Sequence, residues 1–330
     1  MKRYNNLYKE IYDIENLKLA HIKASKGKGH YSEIKKVNKN LDARLLKIQI
    51  MLKNKTYKTS KYKVKTVNDN GKNRTIRALP YYPDRIIQWA IMLVIEKVFI
   101  KTFIADTYSA IPNRGIHKAL YKLKKVLKKE KDLYCLKLDI KKYYDNINHK
   151  VLKSLLRKKF KDNDLLILLD EIIDSMKGSK GIPIGNYTSQ YFANFYLSYF
   201  DHWIKEDLGI KHYFRYMDDI IILDKDKTKL HDIFNKINSY VTNDLKLIIK
   251  SNWQVFPVAV RGIDFIGYRF FNDYILLRKS IAKRFKRTMI KFKKYKKLTK
   301  SNLLSIGSYY GWLIHCNGYN LFYKYIKGII

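Results

Sequence analysis

The chain has 330 residues, enough to bury a sizeable core and too many for one small domain. It carries 68 Lys and Arg against 29 Asp and Glu, a formal net charge of +39, which points to a polyanionic partner such as nucleic acid rather than to a neutral enzyme. An AT-rich genome, which favours Lys, Ile, Asn and Tyr codons, would account for part of that charge. The two cysteines, Cys135 and Cys316, form no Cys-x-x-Cys pair and leave a zinc site or disulfide framework without support. No apolar run approaches the roughly 18 residues of a membrane span, and Met1–Asn6 opens no signal peptide, so no membrane and a cytoplasmic location are expected.

In chain order, residues 1–56 read as basic helices, with Leu45, Leu46, Ile48, Ile50 and Met51 as the packed face of the second. Residues 57–78 alternate and turn at Asp69-Asn70-Gly71, a hairpin signal. Basic residues on both arms, with Arg74 and Arg77, suit a phosphate clamp or a solvated strand equally. Residues 84–100 form an apolar helix with Ile87, Trp89, Ile91, Met92, Val94 and Ile95 as core. His117 to Lys131 is a helix whose lysine face is read as solvated. Residues 191–206 place Phe192, Phe195, Tyr196, Tyr199 and Trp203 at helical spacing. Residues 281–297 form a basic amphipathic helix, with Ile281, Phe285, Met289, Ile290 and Phe292 turned inward. Its other face suits a nucleic-acid backbone, and a membrane surface competes for the same pattern. Residues 308–325 interleave aromatics with few charges and read as core. There is no internal repeat and no Pro- or Gly-rich linker.

The chemistry concentrates in two short runs. Tyr216-Met217-Asp218-Asp219 interrupts an apolar stretch from Tyr213 to Leu223. Adjacent carboxylates between buried strands are costly unless a cation neutralises them. An exposed Asp-Asp turn is the ordinary alternative, but Ile220, Ile221, Ile222 and Leu223 follow directly, with no Gly, Asn or Pro between. A tight hairpin offering both carboxylates to a divalent metal fits better. The second run, 133–140, is a short strand ending in Asp139, with Leu136 and Leu138 on one side. Asp139, Asp218 and Asp219 together are what a two-metal phosphoryl-transfer site needs.

With these motifs the chain resembles a reverse transcriptase. The resemblance rests on the 216–219 run and on Leu138-Asp139-Ile140 with Tyr144 five residues after Asp139. It extends to Arg74–Arg77 with Pro80, to Asp84, Arg85 and Gln88, and to Phe103–Ser109. Arg114, Gly115 and His117, the run Arg261–Tyr268, and Ser308–Trp312 with His315–Asn317 complete it. It implies an α+β right-hand polymerase fold. Fingers would be 1–85 and 147–178, a palm of antiparallel sheet packed on helices 86–146 and 179–277, and a helical thumb 278–330. No ribonuclease H segment is expected after residue 330.

The resemblance also implies the site. Asp139, Asp218 and Asp219 would be catalytic and, with Ile140, would hold two Mg²⁺, with Mn²⁺ as the alternative. Tyr144 would bar a 2′-hydroxyl, where position alone suggests a core aromatic. Arg77 would contact the triphosphate, Lys250 the pyrophosphate, and Ile184, Gly185 and Gln190 would line the base-pair pocket. Arg74, Lys283, Arg284 and Arg287 would contact nucleic acid. Most reverse transcriptases carry Pro-Gln-Gly and later Ser-Pro in this loop; here stand Pro183-Ile184-Gly185 and Ser189-Gln190. That departure resembles diversity-generating retroelements of bacteria and phages. It implies mutagenic copying of a template-repeat RNA, through an RNA/DNA duplex and from dNTPs, with low fidelity at adenines, beside a small basic accessory protein. A phage-defence or abortive-infection reverse transcriptase is the alternative enzyme, and an inactive basic RNA-binding scaffold the alternative outside enzymology. Retrons and group II introns fit less well, because their loops usually retain Gln and Ser-Pro.

Overall fold

A computed structural model describes residues 3–69, 72–295, 297–327 and 329. The chain divides into two compact units. The first comprises Met1–Ala105, Ile140–Leu208 and Ile237–Ile249. Its N-terminal part is four helices, Tyr8–Ile11, Ile14–Ser25, Ser32–Asn38 and Leu41–Lys53. In the last of these Leu45, Ile48 and Leu52 are buried, whereas Leu46 and Ile50 are exposed, contrary to expectation. Steps of three and four residues keep 45, 48 and 52 on one face, and 46 and 50 fall on the flank of that stripe.

Strands β1 (Lys63–Asp69) and β2 (Lys72–Ala78) pair antiparallel. The turn expected at Asn70-Gly71 lies outside the described residues. The helix Ile86–Thr102 buries Ile87, Ile91, Ile95 and Phe99 completely. Trp89 on its flank stacks on Tyr187, ring centroids 4.1 Å apart.

The helix expected over 191–206 begins earlier, at Tyr187, and breaks after Tyr196. It resumes as Ser198–His202 and a π-helical turn, Trp203–Asp207. The Ser198 hydroxyl donates to the Phe195 carbonyl at 2.7 Å, a local bond that competes with the helical ladder at the break.

Asp162 ties the beginning of the chain to this unit. Its Oδ2 accepts from the main-chain N–H of Leu7 (2.7 Å) and Tyr8 (2.9 Å), and its Oδ1 caps the helix Asn163–Asp174 by accepting from Leu165 (3.1 Å).

The second unit comprises Asp106–Asp139, Gly209–Lys236 and Lys250–Ile330. Strands β3 (Tyr134–Asp139), β4 (His212–Tyr216), β5 (Asp219–Asp224) and β6 (Gln254–Pro257) form one antiparallel sheet in the order β4-β5-β3-β6. Strands β7 (Ile263–Phe265), β8 (Tyr268–Phe270) and β9 (Ile275–Leu277) form another. Helices Ile116–Lys129, Lys279–Lys293, Lys300–Leu313 and Tyr319–Tyr325 belong to the same unit. One core joins them, including Leu123, Phe214, Ile221, Phe265, Phe285 and Met289. Gly267 is required where it stands: φ is +92°, and a Cβ there would come within 2.5 Å of the Trp312 ring.

Two readings of this unit are corrected in part. In the helix Lys279–Lys293 the buried stripe is Phe285, Met289 and Phe292, and Ile290, next to Met289, turns to solvent. Of the C-terminal aromatics, Tyr309, Trp312, Phe322 and Tyr325 pack against the core that Ile306, Leu313 and Ile326 help to form, as expected, whereas Tyr310, Tyr319 and Tyr323 are exposed. Both cysteines are free. Cys135 is fully buried, and burial pushes its thiol far up; burial pushes that of Cys316 up to about 11. Among the described residues no helix is long and apolar enough to cross a membrane.

Asp162→Ala should lower the unfolding free energy by about 2–4 kcal/mol, since it strands buried donors and removes a helix cap. Denaturant titration of the variant checks this, and a change below about 0.5 kcal/mol would contradict it.

Candidate active site

Tyr216 pairs with Asp219, which leaves Met217 and Asp218 as a two-residue turn between β4 and β5. Met217 has φ 58°, in the left-handed region that a primed hairpin turn uses. Across the other edge of β5, Asp219 stands opposite Asp139, the last residue of β3. Side chains at such paired positions share a face, with Cβ atoms about 4.5–5.5 Å apart. Asp218 stands close enough to Asp139 for the charge of that carboxylate to oppose its own ionisation. The structure therefore brings Asp139, Asp218 and Asp219 together from two strand ends and the turn between β4 and β5.

Like charges so close need compensation, and two lysines supply it. The Lys250 ammonium pairs with Asp139 Oδ2, and the Lys250 main-chain N–H donates to the Asp139 carbonyl at 2.8 Å. Lys137, two residues before Asp139 and so on the same face of β3, stands 3.3 Å from Asp219 Oδ1 and donates to the Asp264 carbonyl. Arg278 in turn holds the Asp264 carboxylate at 2.6 Å. Burial, and then the charge of Asp139, pushes the Asp218 carboxyl up to about 7. Burial also raises Asp219, against the pull of Lys137.

Asp139 Oδ1 and Asp219 Oδ1 are buried and accept no hydrogen bond; the Lys137 ammonium near the latter is not in hydrogen-bonding geometry. Among the described residues no three His, Cys, Asp or Glu side chains are arranged as a ready ligand set, and the lysines stand on two of the carboxylates concerned. The donor set nevertheless suits a hard divalent cation: all oxygen, converging, with two buried lone-pair faces unused.

A second group of expected residues meets in the first unit, through the main chain. The Arg77 N–H on β2 donates to the Ile184 carbonyl at 3.1 Å. Gly185 has φ +121°, and a Cβ there would stand 3.2 Å from the Arg77 carbonyl oxygen, so the loop can approach β2 only with glycine. The Ile182 N–H donates to the Tyr144 carbonyl at 2.9 Å, which brings Tyr144 to the same loop. The Tyr144 ring is half-buried against the edge of Tyr143, whose hydroxyl donates to the Ala193 carbonyl. Gln88 accepts from the Tyr187 N–H at 3.0 Å and so anchors the helix that follows the loop.

Gln190 stands exposed in the first turn of that helix. Ile140 is fully buried and bridges to Ile249; its side chain has no donor atom, so any contact with a metal runs through its carbonyl. Arg74 on β2 and Lys283, Arg284 and Arg287 on the helix Lys279–Lys293 are exposed.

The sequence model of the reverse transcriptase (RNA-dependent DNA polymerase) family matches residues 52–270. The chain belongs to this family. It is 23% identical to protein YkfC of Escherichia coli K12 over 243 residues, 61% of this chain and 64% of that one. It is 27% identical to the group II intron-encoded protein LtrA of Lactococcus lactis over 143 residues, 41% of this chain and 24% of that one. The chain thus spans less than two thirds of either relative. Among solved structures, apo telomerase of Candida tropicalis matches with a TM-score of 0.52 at 14% identity, covering 70% of this chain and 50% of that one. Telomerase of Candida albicans, in complex with a fragment of telomeric RNA, matches with 0.52 at 12%, covering 76% and 53%. That likeness is one of fold, the α+β right-hand polymerase fold.

Two residues at this cluster were not singled out from the sequence. Lys137 was legible in principle, since alternation along β3 puts it beside Asp139. Arg215, a buried charge one residue before the hairpin motif, had only its apolar neighbours to announce it.

The raised Asp218 carboxyl has a stability consequence. The folded chain keeps a proton between about pH 4 and 7 that the unfolded chain releases, so stability falls as pH rises through that window. With chelator present, Asp218→Asn should melt higher than the parent at pH 8, and the gap should close below about pH 4. A gap independent of pH would contradict the assignment.

Proposed function

We propose that the chain is an RNA-directed DNA polymerase whose reaction is the attack of a primer 3′-hydroxyl on the α-phosphate of a dNTP, with pyrophosphate leaving. The convergence of Asp139, Asp218 and Asp219 carries this reading. Enzymes of this family typically use divalent metals, and the three carboxylates, with the Ile140 carbonyl beside them, would hold two Mg²⁺ or Mn²⁺, which stabilise the charge that develops in phosphoryl transfer. The chain's own residues do the rest. Lys137 and Lys250 keep the acidic cluster from repelling itself apart. Tyr144 bars a 2′-hydroxyl by bulk, Arg77 and Lys250 meet the phosphates, and Arg74, Lys283, Arg284 and Arg287 contact the RNA/DNA duplex. In this reading residues 1–85 and 147–178 are fingers, 86–146 and 179–277 palm, and 278–330 thumb.

We further assign the enzyme to the diversity-generating retroelements, where it would copy a template-repeat RNA with errors at adenines, in the cytoplasm and beside a small basic accessory protein. The support is the substituted loop: Ile184 offers shape where glutamine would offer hydrogen bonds, and a site without polar readout discriminates less. The likeness to LtrA supports a second reading, a group II intron-type enzyme. A near-repeat pair in the DNA flanking the gene would favour the first reading, and intron sequence the second.

Primer extension on an RNA template with Mg²⁺ tests the site. Asp218→Asn should cut the rate by about 10³-fold or more, and chelator should abolish it. Incorporation unaffected by Asp218→Asn would rule the site out. In cDNA sequencing, Ile184→Gln should reduce errors opposite template adenines by about tenfold. An unchanged error spectrum would count against the retroelement assignment.

A further inference from the structure

Directly behind the turn that carries Asp218 lies a buried charge. Arg215 has 0% of its surface exposed and heads the largest fully buried side chains of the described residues. A guanidinium taken out of water is tolerated only when its N–H groups are bonded. Its Nη1 donates to the main-chain carbonyl of Met217 at 2.8 Å. Met217 is the left-handed residue of the hairpin turn, a conformation that side chains other than glycine and asparagine avoid.

The other end of Arg215 is fixed. Its N–H donates to the Asp106 carbonyl, and its carbonyl accepts from the Tyr108 N–H, both at 3.0 Å. Thr107 thereby pairs with Arg215 in parallel, along the outer edge of β4. Asp106 is itself 4% exposed; its Oδ1 accepts from the Tyr108 hydroxyl at 3.2 Å and pairs with Lys122. The Arg114 Nη1 donates to the Thr107 carbonyl at 3.1 Å. The backbone of residue 215 is thus clamped by the 106–108 segment, and from that base the side chain reaches two residues forward to the turn.

We propose that Arg215 is a positioning residue of the active site: its guanidinium holds the Met217 carbonyl, keeps the turn left-handed and so aims Asp218 at Asp139. The inference rests on the polymerase reading of the three aspartates. A buried arginine that only stabilises the fold is the rival explanation, and the turn itself separates the two. If Arg215 works by holding Met217 left-handed, a glycine at 217, which adopts that conformation freely, should make the brace partly dispensable.

The test is primer extension with Mg²⁺, dNTPs and an RNA-templated primer, together with thermal melts and amide hydrogen exchange over residues 216–219. Arg215→Met should lower kcat by about tenfold or more with KM for dNTP changed by less than about twofold, and Arg215→Lys should recover part of the loss. In a Met217→Gly background the same Arg215→Met change should cost about threefold or less, although the melting temperature stays as low as in the single variant. Exchange at the turn should rise by about tenfold in Arg215→Met whether or not extension is measured. Equal losses in both backgrounds, or exchange at the turn unchanged, would overturn the proposal. If Arg215→Met does not fold, Arg215→Lys in the two backgrounds gives the same comparison. Parent activity that Asp218→Asn abolishes, with additive effects of 215 and 217, sinks the brace alone. Activity that survives Asp218→Asn removes the polymerase site and the brace with it.

Discussion

Asp139 and Asp219 face each other across two paired strands, with Asp218 on the adjoining turn. Like charges directly opposite in a ladder are destabilising, and the surrounding features read as the fold's response to them. Lys137 comes from the same strand as Asp139, on the same face, and its ammonium is fixed by the Asp264 carbonyl. Lys250 is tied to Asp139 twice, by side chain and by main chain. Three carboxylates against two ammonium groups leave the ionisation of both Asp218 and Asp219 opposed by their surroundings. That electrostatic cost is borne by apolar strands buried along most of their length.

Those strands were the most legible part of the chain. The unbroken run Ile220–Leu223 and the short run ending in Asp139 can be read as strands because the sheet is covered on both sides, which removes the polar alternation of a half-exposed strand. What escaped was decided by partners distant in sequence. Arg215 looks misplaced in an apolar strand until segment 106–108 is laid along its edge, more than a hundred residues away. Lys122 sits in a lysine-rich helix that reads as solvated, yet its ammonium meets a buried aspartate. Helix faces failed where apolar residues were more numerous than the core could take: Leu46, Ile50 and Ile290 share helices with better-placed neighbours, and the period of 3.6 chose among them. The exposed tyrosines near the C-terminus follow the same logic, since composition reports how many aromatics there are and not which way they point.

The loop of the first unit shows a division of labour between main chain and side chain. The Ile184 carbonyl is committed to the Arg77 N–H, and Gly185 lets the loop lie against β2. The backbone course is therefore set without help from the Ile184 side chain. A residue in that situation can be exchanged without moving its neighbours, which makes position 184 a place where the side chain can change while the architecture holds.

The two sulfurs carry a practical implication. Cys135 is sealed inside the sheet, and Cys316, half-covered, has its Sγ turned toward the carbonyls of Trp312 and Leu313. Only a thiolate attacks electrophiles or forms mixed disulfides, and burial keeps both groups protonated at neutral pH. The thiols of the folded chain should therefore tolerate air and mild peroxide without added reductant, and covalent labelling chemistry aimed at sulfur would report unfolding rather than the native surface.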